Sequence, residues 1–160
     1  MKTLNQLNKI LIAVEDSDYS TLATAYGFEL ARKVNAQVAL LHVNEIPVTG
    51  TPYITDSLVN ETSVLMPEVM FAQEESSKKL LNTIAEKYEQ DITIYTFHKI
   101  GSPQEEIVAT AEEWDADMII LGTHGRTGFD HFISGSVAEK VVRRAKCPVL
   151  IIPNEKEKNH

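Results

Sequence analysis

Residues 118–152 read MIILGTHGRTGFDHFISGSVAEKVVRRAKCPVLII, and the order of residue types in this stretch decides the fold. Met118 to Leu121 and Val149 to Ile152 are short, nearly all-apolar runs, as expected of parallel strands covered on both faces. Between them lie a loop with Gly122, Gly125, Gly128 and Gly135, and then a helix that begins after Ser136. Glycine lets backbone amides approach an anion closely, and free N–H groups converge with the positive end of the dipole at a helix start. The segment therefore reads as a phosphate cradle. Its glycines do not fall as G-x-G-x-x-G, and no Gly-Lys-Ser/Thr follows them, so neither the dinucleotide fingerprint nor the Walker A loop is present.

Strands and helices alternate through the rest of the chain. Ile10 to Val14 is an apolar run, and Ser20 to Val34 places Ala23, Gly27, Leu30, Ala31 and Val34 at helical spacing. Gln37 to Val43 is a second apolar run. Leu80, Leu81, Ile84, Ala85 and Tyr88 then form one face of a second helix, and Asp91 to His98 alternates less cleanly, as an edge strand does. A third helix has a clear start: Ser102 as cap, Pro103 at the first position and Glu105 completing a capping box, with Ile107, Val108, Ala111 and Trp114 on its buried face. Residues 45–66 show no period and predict a long loop, a lid or a mobile segment, while 154–160 predict a frayed tail. The alternation predicts one domain over residues 1–160, an α/β doubly wound sheet with helices on both faces.

The glycine stretch resembles the universal stress protein family, whose ATP-binding members carry G-x2-G-x9-G-[S/T] between the fourth strand and the fourth helix. Gly122, Gly125, Gly135 and Ser136 fill every fixed position of that pattern, and KILIAVEDSDYS (9–20) and ALLHV (39–43) resemble the family's first strand with its acidic loop and its second strand. The resemblance implies a Rossmann-like, five-stranded parallel sheet in the order 3-2-1-4-5. A crevice then opens at the carboxyl ends of the first and fourth strands, where connections leave to opposite faces.

By the same resemblance, ATP, with Mg²⁺ held through its phosphates, would be lined by Ala13, Val14, Glu15, Asp16 and Ser17 after the first strand, and by the backbone of Val43 at the adenine edge. Gly122, Thr123, His124, Gly125, Arg126, Gly128, Gly135, Ser136 and Val137 would line its phosphate side. Ser136 also suits a helix N-cap, and the two roles are compatible. The family's ATP binders usually have Asp, often followed by Gly, where this chain has Glu15 and Asp16. Glu15 keeps the carboxylate on a longer stem, and Asp16 adds negative charge near an anionic ligand. That pair predicts weaker affinity or an altered choice of nucleotide.

Composition bounds the remaining classes. The chain has 160 residues, 43% of them apolar and 24% charged, with 15 basic against 23 acidic residues and a formal charge of −8. Such a balance repels a nucleic-acid backbone, and the one dense basic cluster, Lys140, Arg143, Arg144 and Lys146, suits a solvated helix end. No apolar run approaches the roughly 20 residues of a membrane span, and the N-terminal stretch lacks a signal-peptide core, so a cytoplasmic protein is expected. The single cysteine, Cys147, excludes a disulfide within the chain and reads as a buried structural thiol.

His42, His98, His124, His131 and His160 show no ligand spacing. A metal or proton-transfer site at His124, His131 and Asp130, and a Ser134 or Ser136–His131–Asp130 triad, are weaker readings of one short loop, which has no G-x-S-x-G elbow. The leading expectation is an ATP-binding, nucleotide-responsive stress protein with no catalytic residue. The alternatives are a dimeric interaction module with weak or no nucleotide binding, and a slow ATP hydrolase, for which no residue that positions water is evident. The last strand, 148–153, is predicted to be an apolar edge, and the resemblance implies a homodimer in which it pairs antiparallel with its copy.

Overall fold

The computed structural model describes residues 6–15, 18–46, 56–122 and 137–153, excluding the side chains of 18–20 and 56–66. Its elements are β1 (Lys9–Ala13), α1 (Asp18–Val34), β2 (Gln37–Asn44), α2 (Asp56–Tyr88), β3 (Ile94–Ile100), α3 (Pro103–Glu113), β4 (Met118–Gly122), α4 (Val137–Arg144) and β5 (Val149–Ile152). The strands form one parallel sheet in the order β3-β2-β1-β4-β5, as the family resemblance implies.

Successive strand residues point to opposite faces, which divides the core in two. Ile10, Ile12, Val38, Leu40 and Ile120 meet Ala23, Phe28 and Ala31 of α1 and Leu81 of α2. Leu11, Ala39, Leu41, Ile119 and Leu121 meet Ile107 and Ala111 of α3 and Ala138 and Val141 of α4. Ile10, Leu11, Ile12, Ile119 and Ile120 are all fully buried, each contributing about 1.5–3 kcal/mol by removal from water. β2, β1 and β4 are therefore the inner strands on which the helices close.

Gly27 lets α1 settle onto them. A Cβ there would lie 2.5 Å from Ile12 Cδ1 and 3.3 Å from Ile120 Cδ1, so any larger residue requires these isoleucines to shift. α1 and α3 end alike: Asn35 and Asp115 turn left-handed, at φ 57° and 59°, and the next amides, of Ala36 and Ala116, donate back to Ala31 and Ala111. Both residues are of the kind that tolerates this conformation without being glycine.

Four expectations need correction. Helix α2 begins at Asp56, inside the stretch predicted as a loop, so only the part of 45–66 before it remains outside regular structure or outside the described residues. Ser, Thr, Asn and Val dilute its helical signal, and Pro67 disfavours helix at the residue before it, yet α2 runs through that proline. The edge strand β3 starts at Ile94 and not at Asp91, because pairing with β2 fixes it from Val38↔Ile94 to Asn44↔Ile100. The capping box is not made. The backbone carbonyl of Ser102 accepts the amides of Glu105 and Glu106, its hydroxyl makes no cap bond, and Glu105 faces Arg144 at 3.5 Å instead.

Cys147 is half-buried rather than buried, because it stands where the chain turns from α4 into β5. It borders a cavity of about 660 Å³ at the amino ends of β1, β4 and β5. The basic cluster behaves as a helix end does: Arg143 pairs with Glu139, Arg144 with Glu105 and Lys146 with Glu112.

Candidate functional site

The strand order reverses between β1 and β4: β1 leads into α1 on one face, and β4 leads toward α4 on the other. No crossover can cover both carboxyl ends at such a point, so a crevice is left there. Its rim contains six of the residues expected from the sequence. Ala13 ends β1, and Val14 continues along β2, its amide donating to the Leu41 carbonyl at 2.7 Å. Glu15 follows, half-buried, with its carboxylate oxygen Oε2 out of solvent. Val43 lies near the end of β2, Gly122 ends β4 opposite Ile152, and Val137 opens α4.

Asp16, Ser17, Thr123, His124, Gly125, Arg126, Gly128, Gly135 and Ser136 lie outside the described residues, as do Asp130, His131 and Ser134. The glycine motif is thus placed only by its two ends, Gly122 and Val137, both at the carboxyl end of the sheet. Among the described residues no group of three or more His, Cys, Asp or Glu side chains is arranged to hold a metal ion, and no helix is long and apolar enough to cross a membrane.

Beside the crevice, Val137 and Lys140 of α4 share a cavity of about 420 Å³ with Glu45, Ile46, Gly101, Ser102, Pro103 and Gln104. Gly101 makes the turn from β3 into α3 at φ 153°, and its amide donates to the Asn44 carbonyl at 2.9 Å. Lys140 read as part of a solvated helix end, and only the tertiary fold shows that it borders this cavity. The Gly-Ser-Pro run was the available signal, but it was spent on the helix start.

A polar cluster at the carboxyl ends of β2 and β3 was also missed. His42 and His98 are register partners across these strands. The buried Asn44 side chain points its Nδ2 at Ser77 Oγ (2.7 Å), at His98 Nε2 (3.0 Å) and at the Gln73 carbonyl (3.3 Å), while Ser77 Oγ also meets His42 Nδ1 at 2.7 Å. The cluster ties α2 to β2 and β3. Burial holds His98 below the ordinary histidine pKa of 6.5; Glu74 pulls it up and Lys78 pushes it down. Sequence spacing cannot reveal partners that meet across a sheet.

Comparison with known proteins agrees with this geometry. Residues 6–153 match the model of the universal stress protein family. Universal stress protein MJ0531 of Methanocaldococcus jannaschii is 32% identical over 96% of this chain and 86% of its own length. YxiE of Bacillus subtilis, a universal stress protein, is 31% identical over 91% of this chain and 98% of its own. The solved structure of MJ0577, also from M. jannaschii, superposes with a TM-score of 0.77 at 25% identity, over 94% of this chain and 98% of that one. Two structures share the fold at lower identity. One is a universal stress protein in complex with cAMP (TM-score 0.66, 20% identity, 92% and 98% of the two chains), the other an Archaeoglobus fulgidus protein in complex with dAMP (0.58, 22%, 92% and 98%).

Proposed function

Because this chain belongs to the universal stress protein family, we propose that it binds an adenine nucleotide, ATP in the first place, in the crevice at the carboxyl ends of β1 and β4. The observation that carries the reading is the meeting at this crevice of Glu15, the end of β2 and both ends of the glycine connection. These groups suit the ligand. A carboxylate accepts from ribose hydroxyls, a strand end offers main-chain groups to a base, and the start of α4 after a glycine-serine pair favours phosphate. Solved proteins of this fold hold cAMP and dAMP, so an adenine nucleotide is a ligand that the architecture admits.

Thr123, Gly125, Arg126, Gly135 and Ser136 are the proposed phosphate contacts, and Mg²⁺, where present, would be held through the nucleotide's own oxygens. The protein acts by its bound state rather than by turnover, as a cytoplasmic stress-response regulator. Its proposed assembly is a homodimer through β5.

Nucleotide analysis of freshly purified protein, together with calorimetry, tests the reading. Retained adenine nucleotide and a fit to one site per chain support it, and Gly135→Val abolishes binding by placing a side chain where phosphate oxygens must sit. No binding at millimolar Mg-ATP overturns it in favour of an interaction module built on the same fold.

A further inference from the structure

The cluster around Asn44 has a fixed proton arrangement. The Gln73 carbonyl can only accept, so the Asn44 atom that faces it is the amide nitrogen, a donor. His98 Nε2, 3.0 Å from the same nitrogen, must then accept, which places the ring's proton on Nδ1 and makes the imidazole neutral. Asn44 has two amide hydrogens for these neighbours, so the hydrogens are shared among the Gln73 carbonyl, His98 Nε2 and Ser77 Oγ, and Ser77 meets His42 through its remaining capacity. Turning the Asn44 amide over would not help, since its oxygen would face the Gln73 carbonyl.

We propose that His98 is a proton-operated latch: protonation at Nε2 sets two donors against each other at Asn44 and releases the Gln73–Ser77 turn of α2 from the carboxyl ends of β2 and β3. The charged groups around the ring do not cancel this effect. From α2 it faces Glu74 and Lys78, which are paired with each other at 2.8 Å, with Glu75 3.7 Å from the same amine. From β2 it faces His42, already engaged with Ser77, and on its own strand Lys99 is turned to Glu113 at 3.4 Å. The far side of β3 is the sheet's edge, with no described strand beyond it.

The latch has consequences for the crevice. Asn44 follows Val43 directly, and its carbonyl holds the Gly101 amide at the turn into α3. Releasing its side chain frees the end of β2 and the rim of the small cavity together.

The sign follows from linkage. The folded state lowers the pKa of His98, so the stabilisation from the neutral ring is complete above the ordinary value of 6.5 and is lost as pH falls through the lowered value. The experiment compares nucleotide-free wild type with His98→Gln, whose side-chain oxygen can accept from Asn44 but does not titrate. Between pH 7.5 and 5.5 the wild-type Tm should fall further than that of the variant, by about 2–4 °C for each pKa unit of lowering. Amide exchange in wild type should accelerate at residues 73–78 and not in β1 or β4. NMR titration of the His98 ring in wild type decides the matter even if the variant folds poorly. A midpoint at or above the ordinary value, with unchanged exchange at 73–78, overturns the latch, as do superimposable Tm profiles. No nucleotide enters the test, so its failure is separate from failure of the nucleotide reading.

Discussion

Gly27 and Ile12 touch so closely that a methyl group on the glycine would come within 2.5 Å of Ile12 Cδ1. Ile12 is fully buried in β1 and Ile120 of β4 lies on the other side of the contact, so both isoleucines must shift inside a packed core to admit a methyl group. Gly27→Ala should therefore destabilise the fold by about 1–3 kcal/mol, even though alanine is the better helix former. Denaturant unfolding checks this. Pairing it with Ile12→Val should recover part of the loss, and additive losses would show that the two sites do not meet.

At the other end of α1, Asn35 is held at φ 57°. Asn35→Gly should leave stability unchanged or raise it by up to about 1 kcal/mol, and Asn35→Ala should lower it by about 1 kcal/mol. Thermal melts of the two variants distinguish a backbone requirement from a side-chain one.

Glu15 and Asp16 stand where the family's ATP binders usually have Asp and Gly. Replacing the pair by Asp and Gly removes one negative charge from the residue directly after Glu15, and tighter Mg-ATP binding is expected by calorimetry. A native-state ligand stabilises by about 2.7 kcal/mol at 100 times its dissociation constant, so the wild-type Tm should rise measurably with ATP and rise less with GTP. Weaker binding in the double variant would mean that the acidic pair is suited to another ligand.

β5 pairs with β4 on one side, and Val149, Leu150 and Ile151 remain half-buried. An apolar edge of this kind recruits another strand unless it is covered. Light scattering should find a homodimer at about tens of micromolar, within the affinity range of a standard interface. Ile151→Lys, or Leu150→Pro with its missing donor, should convert it to monomer. A monomeric wild type would refute this assembly.

Much of the architecture was legible because it rests on local patterns. All-apolar runs such as Met118–Leu121 marked buried parallel strands, and the apolar face of Leu81, Ile84 and Tyr88 marked the second half of α2. The first half of that helix was not legible: its weak helix formers and Pro67 mask a segment whose existence depends on the rest of the helix. Of the crevice's rim, Gly122 and Val137 lie at the two ends of the glycine stretch that motif spacing marked, while Glu15 and Val43 came only from the family resemblance. The Asn44–His98–Ser77 cluster was not, because its members come from two strands and a helix, and only the β2–β3 register brings them together.

Asp117 holds the start of β1 from far along the chain: its Oδ2 accepts the amides of Asn8 and Lys9, each at 2.9 Å, and Lys9 Nζ donates to the Trp114 carbonyl. β1 is also flanked by β4, which contributes Ile119 and Ile120 to its register. During synthesis, β1 therefore leaves the ribosome long before β4, its partner on the other side, exists, and until then β2 is the one strand available to pair with it. The central strand is the first made and among the last secured. Slow translation through the second half of the message would prolong exposure of Ile10, Leu11 and Ile12, and would make this chain a client of whatever shields nascent apolar segments.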